Sequence, residues 1–326
     1  MRPLAVVLLA LLGLASCAPY VVPSGPMTGT PRLEQNAIIA ADGTRLPLRE
    51  WLPGGAPRAV VLGLHGFGDY SRAFETPGPL WAQSGIATYA YDQRGFGNTA
   101  SFERWSGVPA MVDDMKAAVA LLHARYPGVP LYVVGESMGG SIAMAALGGE
   151  QPPAIDGLVL IGPAVRSRET LGALGRGGLS FFAHLIPWFP VSTVGMDYQP
   201  SNNIAMLREL SMDPLVIKNP RVDAVWGLVD AMDAALAAAP RLKPPLIILY
   251  GEHDRLVPPD VMKLLLDRLP RQPGIRVAVY PKGYHMLLRD LDGATVQRDA
   301  LSWMLDHDAP LPSGADKAAA AFFAAQ

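Results

Sequence analysis

The stretch Leu131-Tyr132-Val133-Val134-Gly135-Glu136-Ser137-Met138-Gly139 places a serine between glycines directly after a short apolar run. The β-branched and aromatic residues of that run predict a strand, and the small apolar residues at 140–147 are compatible with a helix. Glycines permit a sharp turn between the two. Strand, turn and helix together are the context in which a Gly-x-Ser-x-Gly serine is exposed as a nucleophile. We therefore predict that Ser137 is a nucleophile.

The sequence on both sides of this stretch alternates between strand and helix patterns. Apolar runs lie at 58–64, 87–91, 158–161, 246–250 and 276–280. Helical patterns lie at 72–84, 109–126 and 295–307. Because buried parallel strands are apolar throughout, the alternation predicts an α/β fold with a mostly parallel, doubly wound sheet. We expect its core to span 37–165 and 241–307, with a hairpin turn at Asp42-Gly43.

The alternation stops between residues 166 and 240, where the patterns are mostly helical. Since this segment follows a strand whose end faces the predicted nucleophile, we expect it to form a helical cap over the site. The cap contains a dense apolar group, namely Phe181, Phe182, Leu185, Ile186, Trp188 and Phe189. We expect most of these side chains to form the core of the cap and some to line an acyl channel or touch a membrane.

A serine nucleophile needs a base to take its proton and a carboxylate to orient that base. In an open α/β sheet, residues at the carboxyl ends of the strands lie at one edge, where ligands bind. Asp254 follows the apolar run at 246–250, and His285 follows the run at 276–280. The chain order serine, acid, histidine is the order expected for this kind of fold. We therefore predict the catalytic residues Ser137, Asp254 and His285.

Neighbouring titratable residues leave alternatives open. His253 is a second candidate base, although its position beside Asp254 prevents that carboxylate from orienting it across the site. Glu252 and Asp260 are alternative acids. Glu136 adjoins the nucleophile, and we expect its side chain to face away from the hydroxyl in an ion pair.

Stabilising the developing oxyanion requires two N–H donors. We predict the N–H of Met138, directly after the nucleophile, and the N–H of Phe67 in His65-Gly66-Phe67-Gly68. His65 is expected to brace that loop. The sequence contains neither a metal-ligand cluster nor a phosphate-binding glycine loop, so no cofactor is expected. The formal net charge of −2 gives no reason to expect a nucleic-acid partner.

The amino terminus has the pattern of an export signal. Arg2 is followed by an apolar run at 4–14, which is too short to cross a hydrocarbon layer of about 30 Å. Leu14-Ala15-Ser16-Cys17 resembles a bacterial lipobox, and Cys17 is the only cysteine of the chain. We therefore predict a lipoprotein signal peptide at 1–16 and lipidation of Cys17. The alternative is an ordinary signal peptide with an incidental cysteine.

The two ends of the mature chain have the composition of flexible segments. Prolines, glycines and small polar residues at 17–36 predict an extended, lipid-anchored linker. Residues 308–326 are predicted to be a loose tail, and a short helix within it is left open. The residue after the cysteine is Ala18, whereas an aspartate at that position often marks retention in the inner membrane. In this respect the sequence resembles outer-membrane lipoproteins, so we expect a location in the bacterial cell envelope, at the outer membrane.

These motifs together resemble the monoacylglycerol lipase and lysophospholipase family of serine α/β-hydrolases, which is similar to the S33 serine aminopeptidases. The resemblance spans about residues 37–305. The resemblance rests on the segments His65-Gly66-Phe67-Gly68, Asp92-Gln93-Arg94-Gly95-Phe96-Gly97, Gly135-Glu136-Ser137-Met138-Gly139-Gly140, Ser211-Met212-Asp213-Pro214-Leu215-Val216, Gly251-Glu252-His253-Asp254-Arg255-Leu256-Val257 and Tyr284-His285. It implies an α/β-hydrolase fold, a membrane-facing cap over a hydrophobic tunnel, and hydrolysis of monoacylglycerol or lysophospholipid esters. The resemblance also implies that Ser137, Asp254 and His285 are the catalytic residues. It implies that Phe67 and Met138 are the oxyanion donors.

The sequence departs from the family pattern around the predicted head-group site. Glu136 stands where many members have histidine, and Leu288 stands where the animal lipases have a second histidine. The acidic residue of the oxyanion loop in the family is retained as Asp69. The nearby arginine, Arg72, lies one position earlier than the corresponding arginine of the family. Two other activities remain open on the same scaffold, a general carboxylesterase and an aminopeptidase. A third alternative is a non-catalytic lipoprotein that binds acyl chains.

Overall fold

The computed structural model describes residues 18–192 and 199–324. The predicted signal peptide at 1–16 and the predicted lipidation site Cys17 lie outside the described residues. Among the residues described, no helix is both long and apolar enough to cross a membrane.

One sheet of nine strands organises the described part of the chain, in the order β1-β2-β3-β5-β4-β6-β7-β8-β9. The strands are β1 (Arg32–Glu34), β2 (Ala37–Ile39), β3 (Arg45–Trp51), β4 (Ala59–Leu64), β5 (Ile86–Tyr91), β6 (Leu131–Glu136), β7 (Gly157–Ile161), β8 (Leu246–Gly251) and β9 (Ile275–Tyr280). The pairs up to β3 with β5 are antiparallel, and every later pair is parallel. The predicted α/β class and mostly parallel sheet are confirmed.

Helices cover both faces of this sheet. They are α1 (Pro77–Gln83), α2 (Val108–Arg125), α3 (Met138–Leu147), α4 (Ala173–Leu185), α5 (Ile204–Met212), α6 (Val222–Ala238), α7 (Pro259–Arg268), α8 (Gly293–Leu305) and α9 (Ala315–Ala324). Successive residues of β4 enter different cores: Val60 packs in the cluster with Met115 of α2, and Val61 packs in the cluster with Trp303 of α8. This alternation explains why the central strands are apolar at every position.

The predicted cap contributes to the main core at its carboxyl end. Helices α4, α5 and α6 all lie within the interval 166–240. Ala235 and Leu236 of α6 nevertheless belong to the same buried cluster as Met144 of α3. The end of α6 packs closely against the residue after α3, because a Cβ at Gly148 would collide with Ala238. The carboxyl end of α6 is therefore part of the core rather than of a separate cap.

The aromatic group of the cap differs from its prediction. Phe181, Phe182, Trp188 and Phe189 are 59%, 49%, 56% and 54% exposed. The expectation that most of the group forms a core within the cap is therefore wrong for these four. Helix α4 has one fully buried residue among those described, Ala183, so sequence apolarity alone did not reveal which side of the helix is covered.

The two terminal segments are more ordered than their composition suggests. The predicted linker contains β1, and upstream of it Val22 N–H donates to Trp105 O at 2.8 Å. At the other end, the predicted loose tail forms α9, in which Ala315 and Ala319 are buried. Phe322 lies 6.1 Å from the ring of Tyr250. Proline and alanine content predicted flexibility in both places, and packing against the core overrides it.

Candidate active site

The turn between β6 and α3 holds Ser137 in a strained backbone conformation, with φ at +51°. Its N–H donates to Ile161 O at 2.9 Å, which fixes the turn against the end of β7. Gly139 lets α3 approach β4, because a Cβ there would collide with Leu64 O. The Gly-x-Ser-x-Gly pattern is therefore required by close packing of two backbones as well as by the turn itself.

The structure brings the three sequence-predicted catalytic residues together. His285 Nε2 lies 2.9 Å from Ser137 Oγ, and His285 Nδ1 lies 2.7 Å from Asp254 Oδ2. The other carboxylate oxygen of Asp254 accepts the N–H groups of Leu256 and Val257, both at 2.9 Å. These contacts hold the carboxylate in place so that it accepts from Nδ1–H. They leave Nε2 to accept the hydrogen of the serine hydroxyl.

The electrostatic surroundings favour a proton on His285. Burial alone would lower the pKa of this histidine, but the charge and the hydrogen bond of Asp254 outweigh burial, and Glu136 adds to their effect. The pKa of His285 therefore lies above its ordinary value. Such a histidine is a competent proton acceptor from a serine.

The alternative bases and acids lie outside this arrangement. Glu252, His253 and Asp260 are all exposed, whereas Asp254 between them is buried. The ring of His253 lies 5.2 Å from that of Tyr284, on the outside of the loop. Spacing along the chain could not separate these candidates, but burial does.

Two N–H groups at the predicted oxyanion site are free of partners in the described part of the chain, those of Phe67 and Met138. Met138 is the first residue of α3, so its N–H also lies at the positive end of the helix. The ring of Phe67 packs edge-on against Phe96 with 5.4 Å between the ring centres. This packing holds the loop that carries the Phe67 N–H.

His65 is fully buried below that loop. Its Nε2 accepts Gln93 N–H at 2.9 Å, so its Nδ1 carries the hydrogen and donates to Gly66 O at 2.8 Å. Burial lowers the pKa of His65. A neutral histidine with both nitrogens satisfied braces the loop, in agreement with the sequence prediction.

The cap segment at 211–217 docks directly on the oxyanion loop. Ile217 N–H donates to Gly68 O at 2.8 Å. Asp213 Oδ2 accepts from Tyr70 Oη at 2.8 Å and from Arg72 Nη1 at 3.0 Å. These contacts give a physical reason for the distinctive sequence motif in the cap, since its aspartate connects the cap to the core beside the site.

Two residues of the site were missed by sequence reasoning. Gly162, directly after β7, has φ of +46°, and a Cβ there would lie 3.2 Å from Asp254 Oδ2 and 3.3 Å from His285 Nδ1. Arg289 is buried four residues after His285. The available signals were a glycine at a strand end and a charged residue directly after two leucines, and neither is specific.

Glu136 forms the ion pair expected of it. Its Oε2 lies 3.1 Å from Arg289 Nη2, and the same nitrogen lies 2.6 Å from Asp69 Oδ2. Burial raises the pKa of Glu136, and the charge of Arg289 opposes that rise. Arg72, by contrast, is paired with Asp213.

Within residues 18–192 and 199–324, no three His, Cys, Asp or Glu side chains are grouped so that they could hold a metal ion. The arrangement suits nucleophilic attack by a hydroxyl assisted by a neighbouring imidazole.

The chain is similar to known hydrolases over most of its length. The sequence profile of the family described as "Serine aminopeptidase, S33" matches residues 55–292. A monoacylglycerol lipase of Mycolicibacterium smegmatis is 28% identical over 84% of this chain and 97% of that protein. The monoglyceride lipase of Rattus norvegicus is 29% identical over 79% of this chain and 85% of that protein.

Solved structures show the same fold. A monoacylglycerol lipase of Paleococcus ferrophilus aligns with a TM-score of 0.68 and 22% identity, over 81% of this chain and 99% of that one. A soluble variant of the monoglyceride lipase of Saccharomyces cerevisiae, solved with a substrate analogue, aligns with a TM-score of 0.69 and 23% identity, over 89% and 98%. At this level of identity the alignments establish the α/β-hydrolase architecture.

Proposed function

We propose that this chain, which belongs to the serine aminopeptidase S33 family, is a serine hydrolase that cleaves carboxylic esters of single-chain lipids. The observation that carries the proposal is the continuous hydrogen-bonded chain from Ser137 through His285 to Asp254 at the carboxyl edge of the sheet. It is the arrangement that activates a serine hydroxyl on unrelated folds as well.

The reaction follows from this geometry. His285 takes the proton of Ser137 as its oxygen attacks the ester carbonyl, and the N–H groups of Phe67 and Met138 stabilise the oxyanion. The imidazolium, held by Asp254, then gives its proton to the departing alcohol, which leaves an acyl-enzyme. Water attacks the acyl-enzyme with His285 again acting as base. The fatty acid departs and the serine is restored.

The substrate class is proposed from the relatives. Curated relatives from Mycolicibacterium smegmatis, Rattus norvegicus and Homo sapiens, which match 79–84% of this chain, are named monoacylglycerol or monoglyceride lipases. We therefore propose monoacylglycerol as the preferred substrate and lysophospholipid as the second. A relative from Bacillus subtilis named a phospholipase, 24% identical over 62% of this chain, supports the inclusion of the latter.

A chain-length series tests the proposed activity. Purified protein should release fatty acid from medium- or long-chain monoacylglycerol, and Ser137→Ala should lower kcat by at least about 10⁴-fold without loss of folding. His253, the exposed residue next to the catalytic Asp254, provides a matched control, because His253→Ala should keep the wild-type rate. A fluorophosphonate should label the wild type and leave Ser137→Ala unlabelled. Cleavage of amino-acid amides alone would instead identify a peptidase.

Attachment to a membrane is proposed through the amino terminus. Tyr20 and Val21, three and four residues after Cys17, are each 46% exposed. Tyr20 lies near Arg221, and the backbone of Arg221 forms an isolated β-bridge with Pro190, next to the exposed Trp188 and Phe189. Three residues span at most about 11 Å. An acylated Cys17 would thus enter the bilayer beside the exposed aromatic residues of the cap, which favours a single membrane-facing side.

The proposed location is the bacterial cell envelope, with the protein held in the outer membrane by its acylated cysteine. Labelled palmitate should be incorporated into the full-length chain expressed in a bacterium and should be lost in Cys17→Ser. The wild type should fractionate with outer membranes, and Cys17→Ser should not. Membrane fractionation of Cys17→Ser equal to that of the wild type would contradict an anchor at this residue.

A further inference from the structure

We infer that Arg289 is a positioning residue that holds the oxyanion loop against the nucleophile turn. One nitrogen of its guanidinium, Nη2, lies 2.6 Å from Asp69 Oδ2 and 3.1 Å from Glu136 Oε2. The two carboxylates belong to segments that are far apart in the sequence. The inference rests on the proposed esterase function and adds to it a residue that acts through its neighbours.

Asp69 belongs to the turn that presents the first oxyanion donor. Its N–H donates to Gly66 O at 3.3 Å, which closes a turn around Phe67 and Gly68. Its Oδ1 accepts Tyr70 N–H at 2.8 Å, so Oδ2 remains for the guanidinium. A displacement of the Asp69 carboxylate is therefore passed to the Phe67 N–H two residues away.

Glu136 is the last residue of β6 and directly precedes Ser137. Its Oε1 is buried without a hydrogen-bond partner among the described residues, so Arg289 is its principal polar contact. Through this pair the guanidinium holds the strand end from which the nucleophile turn begins. Asp69 and Glu136 together connect the segments of the oxyanion donor and of the nucleophile to one cation.

Arg289 is itself fixed to the loop that carries the histidine. It ends the short 3₁₀ helix Leu287–Arg289, and its N–H donates to Met286 O at 2.9 Å. Its carbonyl accepts from Asn203 Nδ2 at 3.1 Å, at the start of α5 in the cap. One side chain therefore connects the oxyanion loop, the nucleophile turn and the histidine loop.

The burial of these charges requires the cation. Asp69, Glu136 and Arg289 are 5%, 2% and 7% exposed. Without the guanidinium, two buried carboxylates would face each other, and removal of one partner of a buried pair leaves an uncompensated charge. Arg72, the arginine nearest to Asp69 in sequence, is paired with Asp213, Glu75 and Glu209 instead.

Arg289→Met tests the inference with hydrolysis of a soluble short-chain ester. We expect kcat to fall about 10- to 100-fold, less than or comparable to the loss of a whole oxyanion donor, with KM changed less than about twofold. Binding of a trifluoromethyl ketone, whose adduct with serine carries an oxyanion, should weaken by a similar factor. Arg289→Lys, which retains the positive charge, should recover most of the kcat.

A second buried arginine supplies the matched control. Arg94 lies between Asp42 and Asp114 with its side chain 6% exposed, an equivalent arrangement that contacts none of the three catalytic side chains. Arg94→Met should lower stability, but folded enzyme should keep its kcat and its affinity for the ketone. Where Arg289→Met folds poorly, the same measurements on Arg289→Met/Glu136→Gln, which carries one fewer buried carboxylate, should show the same loss of kcat.

Three outcomes decide the matter. Unchanged kcat and ketone affinity in folded Arg289→Met would overturn the inference, and so would equal losses in Arg94→Met. An inactive wild type that a fluorophosphonate does not label would instead overturn the esterase function, and the inference with it. An active wild type beside an unaffected Arg289→Met leaves the esterase function standing and removes only the role of Arg289.

Discussion

His285 must be neutral to take the proton of Ser137, so its pKa sets the acid limit of activity. That pKa is raised above its ordinary 6.5, since the hydrogen bond to Asp254 and the negative charges of Asp254, Glu136 and Asp290 together outweigh burial. A raised pKa means that the active form is present above it and is lost as pH falls through it. We expect kcat/KM to fall on the acid side with a midpoint above pH 6.5, measured with an uncharged ester.

Glu136→Gln provides the matching change. It removes a negative charge that favours protonated His285, so the midpoint should move to lower pH. Thermal unfolding would show that the variant remains folded. If the pH midpoint of kcat/KM were the same in Glu136→Gln as in the wild type, the charge of Glu136 would have no effect on the pKa of His285, which would contradict the prediction.

Gly162→Ala is predicted to damage the site without replacing a catalytic residue. The added methyl would press on Asp254 Oδ2 and His285 Nδ1, at 3.2 and 3.3 Å, and φ of +46° is unfavourable for alanine. We expect kcat to fall about 10- to 100-fold. Gly128→Ala is the control, since its φ of +76° imposes similar strain with nothing within 4 Å. Equal activities of the two variants would contradict the prediction.

The difference between predictable and unpredictable residues of the site has a physical basis. Ser137, Asp254 and His285 are predictable, because each follows a recognisable strand and the chemistry dictates their order. Gly162 and Arg289 act through distances between segments far apart in sequence. No local pattern encodes such distances, so these two became visible only with the structure.

Helix α9 is the element whose contribution can be tested most simply. Ending the chain after Gly314 removes buried Ala315 and Ala319, the rings of Phe322 and Phe323 beside Tyr250, and the Arg276–Asp316 ion pair. We expect the free energy of unfolding to fall by about 2–4 kcal/mol. Lys317→Ala, at an exposed position of the same helix, should leave it unchanged in denaturant titrations. A truncated chain as stable as the full one would show that α9 is dispensable.

Strands were the elements that the sequence predicted best. The central strands lie close to their predicted positions, because burial on both faces leaves an unmistakable apolar run. The exposed aromatic residues of α4 and the packed α9 were both misjudged. A periodic pattern identifies a helix but does not say what covers its apolar side, and that depends on the whole fold.

At the scale of the whole molecule, the exposed aromatic side chains among the described residues lie mostly in the cap, and Trp188 and Phe189 lie near the amino-terminal residues that the structure describes. We expect Trp188→Ser/Phe189→Ser to slow hydrolysis of monoacylglycerol in vesicles several-fold, since large apolar side chains are lost from the side proposed to meet the bilayer. Hydrolysis of a soluble ester should be unchanged. Leu52→Ser, at a 46% exposed position directly after β3, is the control for lost surface apolarity. An equal loss on both substrates would place the defect in the site itself.

The hydrogen bond from Ile217 N–H to Gly68 O connects the cap segment to the oxyanion loop. Gly68 follows the residue that supplies an oxyanion donor, so any motion that lifts residues 213–217 off the core also releases that donor's loop. An ester that entered by such a motion would wait beside an incompletely assembled site until the segment returned. Loading and bond cleavage would then be separate in time, and the rate of return would set an upper limit on the rate of chemistry.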